Sequence, residues 1–145
     1  MMWCEAWWRR FRHTNKKSKN MKRIISTPDA PKAIATYSQA VEANGMLFIS
    51  GQIAIVPETG KLIEGAIEAQ TVQVMKNIGA VLHAAGYTYK DVIKTTCLLS
   101  NMADYATVNV IYGSYFTENP PARAAYSVSG LPLGSLIEIE TIACK

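Results

Sequence analysis

The chain has 145 residues, of which 49% are hydrophobic and 18% charged, and its formal net charge is +4. This length and apolar content predict one soluble globular domain and exclude an intrinsically disordered chain. No apolar run approaches the roughly 20 residues that a membrane-spanning helix requires, so a transmembrane protein is excluded as well.

The positive charge is concentrated at the start of the chain. Residues 1–20 contain six Lys and Arg residues and one Glu, which leaves nine basic and ten acidic groups, a net charge of −1, for residues 21–145. We interpret residues 1–20 as a basic extension, either disordered, an artefact or a weak mitochondrial address, and residues 21–145 as a cytoplasmic domain. Because this domain has no positive excess, nucleic-acid binding is not expected.

Six segments of the domain have the composition of strands. The residue pair Asn44-Gly45 separates two of them and is a strong signal for a two-residue hairpin turn. The six segments are 22–26, 39–43, 46–53, 92–99, 124–128 and 136–143.

Two helices are predicted between these strands. The first begins at Ile67, has apolar residues at steps of three and four, and ends at Gly86. The second opens near Asn101 and Asp104, which resemble a capping arrangement, and ends before Pro120. Its predicted buried stripe consists of Tyr105, Val108, Tyr112 and Phe116.

This order of elements predicts an α+β fold with a mixed sheet and two helices packed on one of its faces. The strand segment 46–53 is apolar on both sides, so its second face also needs cover. Two helices cover only one face of such a sheet. We therefore expect the other face to meet another copy of the chain.

The side chains needed for a metal or cofactor site are scarce. Cys97 and Cys144 lie in apolar segments without CxxC spacing and are interpreted as small hydrophobic residues, and His83 has no nearby ligand partner. The glycines form no phosphate-binding or dinucleotide-binding pattern. The sequence therefore predicts neither a metal site nor a cofactor.

Arg123 is the only charged residue between Asn119 and Ile137. A guanidinium group keeps its proton in apolar surroundings, so a buried Arg123 needs a carboxylate partner. Two alternatives remain open: an internal pair with Glu118, Glu138 or Glu140, or a small carboxylate ligand.

Glu138 and Glu140 are two residues apart in the last predicted strand, so their side chains project from the same face. One alternative is an exposed edge strand protected by charge. The other is a catalytic base that activates water, which requires partial burial to raise its pKa. The tripeptide Ser50-Gly51-Gln52 is a plausible wall for a small-molecule site.

Considered together, the motifs of residues 22–144 resemble the RidA (YjgF-type) family. The matching motifs are Tyr37-Ser38-Gln39-Ala40, Ser50-Gly51-Gln52, residues 70–77, Lys94-Thr95-Thr96, Val108-Asn109, Pro121-Ala122-Arg123 and Ile137-Glu138-Ile139-Glu140. The resemblance implies a chorismate-mutase-like homotrimer with sites in the clefts between subunits. It also implies cofactor-independent 2-iminobutanoate/2-iminopropanoate deaminase activity on products of pyridoxal-phosphate-dependent dehydratases.

The resemblance also implies roles for individual residues. The implied catalytic residues are Arg123, Glu138 and Tyr37: Arg123 would bind the substrate carboxylate, Glu138 would help to place and activate water, and Tyr37 would line the cleft. The further substrate-binding positions are Ser50, Gly51, Asn109 and Ala125, the last of these through its backbone carbonyl. Two other functions remain open: an endoribonuclease or translation inhibitor, and a non-enzymatic chaperone or carboxylate-binding protein.

Overall fold

The computed structural model describes residues 22–145, and the predicted N-terminal extension lies outside the described residues. Within these described residues, eight strands and two α-helices follow one another. They are β1 (Arg23–Ile25), β2 (Ala40–Ala43), β3 (Met46–Gln52), β4 (Ile55–Val56), β5 (Lys61–Leu62), α1 (Ile67–Ala85), β6 (Val92–Leu99), α2 (Tyr105–Tyr115), β7 (Ala122–Ser127) and β8 (Ile137–Cys144).

Six strands form a mixed sheet in the order β1-β2-β3-β8-β6-β7, and β4 pairs with β5 in a separate hairpin. All neighbours in the six-stranded sheet are antiparallel except β6 and β7, which are parallel. The predicted turn between β2 and β3 forms at Asn44 and Gly45, whose φ angles of 54° and 73° lie in the left-handed region. The α+β class and the mixed sheet are thus confirmed, whereas the strands β4 and β5 are not among the predicted elements.

Helix α1 buries the apolar stripe that its sequence period predicts. Val74, Ile78 and Val81 are almost completely buried and pack with sheet residues such as Leu47 and Ile139. The helix ends where Gly86 takes a φ of 84° and donates its backbone N–H to the carbonyl oxygens of the last turn. This stripe against the sheet forms the centre of the core.

Helix α2 follows a short 3₁₀ turn. The side-chain oxygen of Asn101 accepts a hydrogen bond from the backbone N–H of Ala103 at 3.0 Å, so Asn101 caps this turn as the sequence indicates. The α-helix ends at Tyr115, before Pro120. Val108 and Tyr112 are buried, but Tyr105, a member of the predicted buried stripe, is 37% exposed.

Along β8, residues that point into the core alternate with residues that lie on the second face of the sheet. Ile137, Ile139, Thr141 and Ala143 are buried towards the helices, so Glu138 and Glu140 share the opposite face as predicted. Strand β8 lies between β3 and β6, so the alternative of an exposed edge strand is wrong.

Apolar residues remain exposed on this face as well. Ile24, Val41, Phe48 and Ile142 are cross-strand partners, and Phe48 is 43% exposed. The expected subunit contact at this face stays a prediction. None of the helices within residues 22–145 is long and apolar enough to span a membrane.

Candidate active site

The predicted site residues line two cavities on opposite sides of the sheet. A cavity of about 590 Å³ next to α2 and β7 is lined by Arg123, Asn109 and Ala125. A cavity of about 520 Å³ is lined by Tyr37, Ser50, Gly51 and Glu138. The chain therefore brings the seven residues together in two groups rather than in one.

Neutral groups hold the guanidinium of Arg123. Its Nη2 donates to the hydroxyl oxygen of Tyr105 at 2.9 Å and to Oδ1 of Asn109 at 2.7 Å. The salt bridges within residues 22–145 join Arg23 to Glu42 and Lys145 to Asp91, and neither involves Arg123. The alternative of an internal ion pair with Glu118, Glu138 or Glu140 is therefore wrong for the described chain.

Two tyrosine rings also lie close to the Arg123 guanidinium. Its central carbon lies 4.7 Å from the ring centroid of Tyr112 and 5.5 Å from that of Tyr105. A hydrogen bond of 2.8 Å between the hydroxyls of Tyr112 and the buried Thr95 holds the Tyr112 ring in place. A cation over an aromatic face is stabilised by the ring quadrupole without being neutralised. The guanidinium is thus oriented while its positive charge stays available to an anion.

Glu138 and Glu140 are the two acids that line the other cavity. Partial burial, and then the negative charge of Glu140, raise the pKa of the Glu138 carboxyl above its ordinary value. A carboxylate with a raised pKa is a stronger proton acceptor than an exposed one. Its position in the cavity lining and the direction of its pKa shift both suit a base that activates water.

The loop before β2 and the end of β3 form the wall of this cavity. Tyr37 is 48% exposed, and its hydroxyl accepts a weak hydrogen bond of 3.4 Å from the backbone N–H of Ile34. The Tyr37 side chain therefore lines the cavity and is not part of the hydrophobic core. Ser50 donates its hydroxyl to the carbonyl oxygen of Ser38 at 2.7 Å, which ties β3 to the same loop.

The strand register separates Arg123 from Glu138. Arg123 pairs with Thr95 of β6, whereas Glu138 pairs with Leu98 of the same strand. Residues three apart on a strand project from opposite faces. Arg123 consequently faces α2, and Glu138 faces away from both helices.

Two residues of the Arg123 group were not identified from sequence as functional candidates. The sequence pattern places Tyr105 and Tyr112 in the buried stripe of the second helix, yet with Asn109 they form one side of α2 that faces the guanidinium. The available signal was the spacing i, i+4, i+7 of three hydrogen-bonding residues in a helix that contains no charged residue. Within the described residues no cluster of three or more His, Cys, Asp or Glu could hold a metal ion.

Comparisons with known proteins agree with this fold. The family model described as "Endoribonuclease L-PSP" matches residues 27–145. The chain is 49% identical over 125 residues to the 2-iminobutanoate/2-iminopropanoate deaminase of Homo sapiens, covering 86% of this chain and 91% of that protein. It is also 49% identical to the chloroplastic Reactive Intermediate Deaminase A of Arabidopsis thaliana, covering 84% of this chain and 65% of that protein's length.

Solved structures give the same result. A Rid-family protein from Yersinia pestis superposes with a TM-score of 0.84 at 50% identity, over 86% of this chain and all of that one. The TdcF protein of E. coli, solved with bound serine, superposes with a TM-score of 0.82 at 37% identity, over 86% and 99% of the two chains. The resemblance noted in the sequence is confirmed by these matches, and the chain belongs to the RidA (YjgF-type) family.

Proposed function

We propose that the chain hydrolyses 2-imino acids such as 2-iminobutanoate and 2-iminopropanoate to 2-oxo acids and ammonia. The observation that carries the proposal is the Arg123 guanidinium, which lines a cavity and, among residues 22–145, is hydrogen-bonded to the neutral side chains of Tyr105 and Asn109. Its planar fork suits the two oxygens of a substrate carboxylate. Relatives named as imine deaminases at 48% and 49% identity support this reaction.

The reaction requires little beyond positioning and proton transfer. Water adds to the electrophilic carbon of the protonated imine, and Glu138 accepts the proton that this water loses. Glu138 then gives this proton to the nitrogen of the tetrahedral intermediate and takes up the proton of its hydroxyl group as the C–N bond breaks. Ammonia leaves, the 2-oxo acid remains, and Glu138 loses its last proton to solvent. Holding the carboxylate on Arg123 and water on Glu138 lowers the barrier mainly through orientation.

The two residue groups meet only if separate copies of the chain associate. Because Arg123 and Glu138 lie on opposite faces of one sheet, a single small substrate cannot contact both in the same chain. We propose a homotrimer in which Arg123, Asn109 and Ala125 of one copy face Tyr37, Ser50, Gly51 and Glu138 of the next. The exposed apolar residues on the second face of the sheet supply the contact area.

The reaction is tested by coupling a threonine dehydratase to the purified chain and following 2-oxobutanoate while a trapping amine competes for the imine. We expect the wild type to accelerate 2-oxobutanoate formation, and Arg123→Ala and Glu138→Ala to retain only a small residual rate. Unchanged rates with wild type, or full activity in Arg123→Ala, would count against the proposal.

The shared site is tested by complementation between inactive variants. Arg123→Ala and Glu138→Ala chains are denatured, mixed in equal amounts and refolded together. Random assembly gives about a quarter of the interfaces both an intact Arg123 and an intact Glu138, and so about a quarter of wild-type activity. Chains refolded separately and then mixed briefly are the control, and a mixture without activity would contradict a site built by two copies.

The alternative functions predict different results. Ribonuclease activity requires attraction to phosphates, which the net charge of −1 on residues 21–145 does not favour. RNA cleavage that survives removal of residues 1–20 and is lost in Glu138→Ala would favour that function. Tight binding of 2-oxo acids without turnover would favour a carboxylate-binding protein. Cytoplasmic localisation and the link to pyridoxal-phosphate-dependent dehydratases stay predictions.

A further inference from the structure

A bulge in β3 lies directly beside Glu138. Ile49 pairs with Thr141 and Gln52 with Ile139, so Ser50 and Gly51 of β3 lie opposite the single residue Glu140 of β8. Such a bulge bends the strand and redirects its side chains. The Gln52 side chain donates to the Ser50 carbonyl oxygen at 3.0 Å and so satisfies a backbone group within the bulge.

Gly51 leaves the space that the Glu138 carboxylate occupies. A Cβ atom at position 51 would lie 1.8 Å from Oε1 of Glu138, 2.8 Å from its Cδ and 3.1 Å from its Cγ. Its backbone φ does not require glycine, because Gly51 is absent from the residues with positive φ in the described chain. The requirement for glycine here is therefore steric, and it comes from one side chain.

We propose that Gly51 is a positioning residue whose missing side chain lets the Glu138 carboxylate lie against β3, where it can act on the hydrolytic water. This inference rests on the proposed function. It assigns Gly51 a role that differs from contact with substrate, since it acts through Glu138.

The effect of a methyl group at this position follows from the distances. Ordinary contact between heavy atoms is about 3.5 Å, so Oε1 has to move by at least about 1.5 Å when Gly51 becomes alanine. The side chain of Glu138 is only partly buried and can rotate away, so the fold should persist. A displacement of about 1 Å in a catalytic group commonly costs about 100-fold in rate.

The first experiment compares Gly51→Ala with Gly130→Ala. Gly130 also has no positive φ, and a Cβ atom added there would have no neighbouring atom within 4 Å, so it is a matched control. We expect Gly51→Ala to lower kcat about 100-fold and to leave KM within about threefold, because Arg123 still binds the carboxylate. Gly130→Ala should retain wild-type kinetics. Full activity in Gly51→Ala would overturn the proposal.

A double-mutant cycle separates positioning from a general structural defect. In a Glu138→Ala background the clash is gone, so adding Gly51→Ala should change the remaining rate less than about twofold. A further 100-fold loss in this background would show that Gly51 acts independently of Glu138, and would overturn the proposal.

A measurement that needs no activity completes the test. The ionisable groups that line this cavity are Lys32, Tyr37, Glu138 and Glu140. The carboxyl ¹³C signal of Glu138 is titrated by NMR in wild type and in Gly51→Ala. Displacement into solvent should lower the Glu138 pKa towards its ordinary value, and an unchanged titration would contradict the proposal. If wild type shows no imine hydrolysis, only the proposed function fails, because the titration still decides whether Gly51 fixes the carboxylate.

Discussion

The hydrogen bond between Thr95 and Tyr112 offers a quantitative test of how the Arg123 site is supported. Thr95 is 2% exposed and Tyr112 is 4% exposed, and their hydroxyls are 2.8 Å apart. Tyr112→Phe removes one hydroxyl and leaves the buried Thr95 hydroxyl without this partner. Leaving a buried polar group unsatisfied costs about 1–3 kcal/mol, so we expect the free energy of unfolding to fall by about 1–2 kcal/mol.

The matched control removes both hydroxyls at nearly constant shape. In the double variant Tyr112→Phe/Thr95→Val no polar group is stranded, and we expect a net cost below about 0.5 kcal/mol. The two effects should therefore be strongly non-additive. Urea denaturation at one fixed chain concentration measures all three variants, because an oligomer's stability depends on concentration.

The same variants separate stability from binding. The Phe ring still lies under the Arg123 guanidinium in Tyr112→Phe, so KM should stay within about twofold of wild type. Tyr112→Leu removes the ring, and a loss of about 0.5–1 kcal/mol of cation–π interaction should raise KM about two- to fivefold. A cost below about 0.3 kcal/mol for Tyr112→Phe, or additive costs in the double variant, would refute this account of the support beneath Arg123.

Single residues carry three further predictions. Gly86→Ala forces a side chain into a φ of 84° and should lower the free energy of unfolding by about 1 kcal/mol. Gly113→Ala is the control, because Gly113 has open space and no positive φ, and it should not destabilise the fold. Thermal denaturation measures both variants. Glu140→Gln removes a charge that raises the pKa of Glu138, so the acidic limb of the kcat/KM profile should move to lower pH; a shift to higher pH would contradict the role of Glu138 as a base. Burial raises the pKa of Cys97 to about 11, so thiol reagents should modify Cys97 only after unfolding, as peptide mapping of the native protein can check.

Local patterns allowed most elements to be predicted from sequence. The period of apolar residues and Gly86 defined α1 almost to the residue, and the segment 92–99 coincides with β6. The capping role of Asn101 was identified, but the 3₁₀ turn that delays α2 to Tyr105 was not. The short strands β4 and β5 were missed because two-residue strands are too short for alternation to be visible.

The order of the strands could not be obtained from these patterns. The two acids of β8 resemble the charges that protect an edge strand, and only the long-range pairing with β3 and β6 places them in the middle of the sheet. Alternation within a strand shows which of its residues share a face, but not which strands become neighbours. The sequence therefore indicated correctly that Glu138 and Glu140 project together, and the edge-strand alternative could be rejected only from the fold.

The same limit applies to the relation between Arg123 and Glu138. The sequence identified Arg123 from an isolated charge in an apolar segment, and that signal is local. Whether Glu138 could neutralise this charge depends on the registers of β7 and β8 against β6, which place the two side chains on opposite faces. Because of that separation, Arg123 has a neutral hydrogen-bond partner in Asn109, and the pKa of Glu138 is raised. A direct ion pair between the two side chains would neutralise Arg123 and lower the pKa of Glu138. Since Arg123 and Glu138 do not neutralise each other within one chain, both remain able to contact a substrate bound between two copies, as the proposed homotrimer requires.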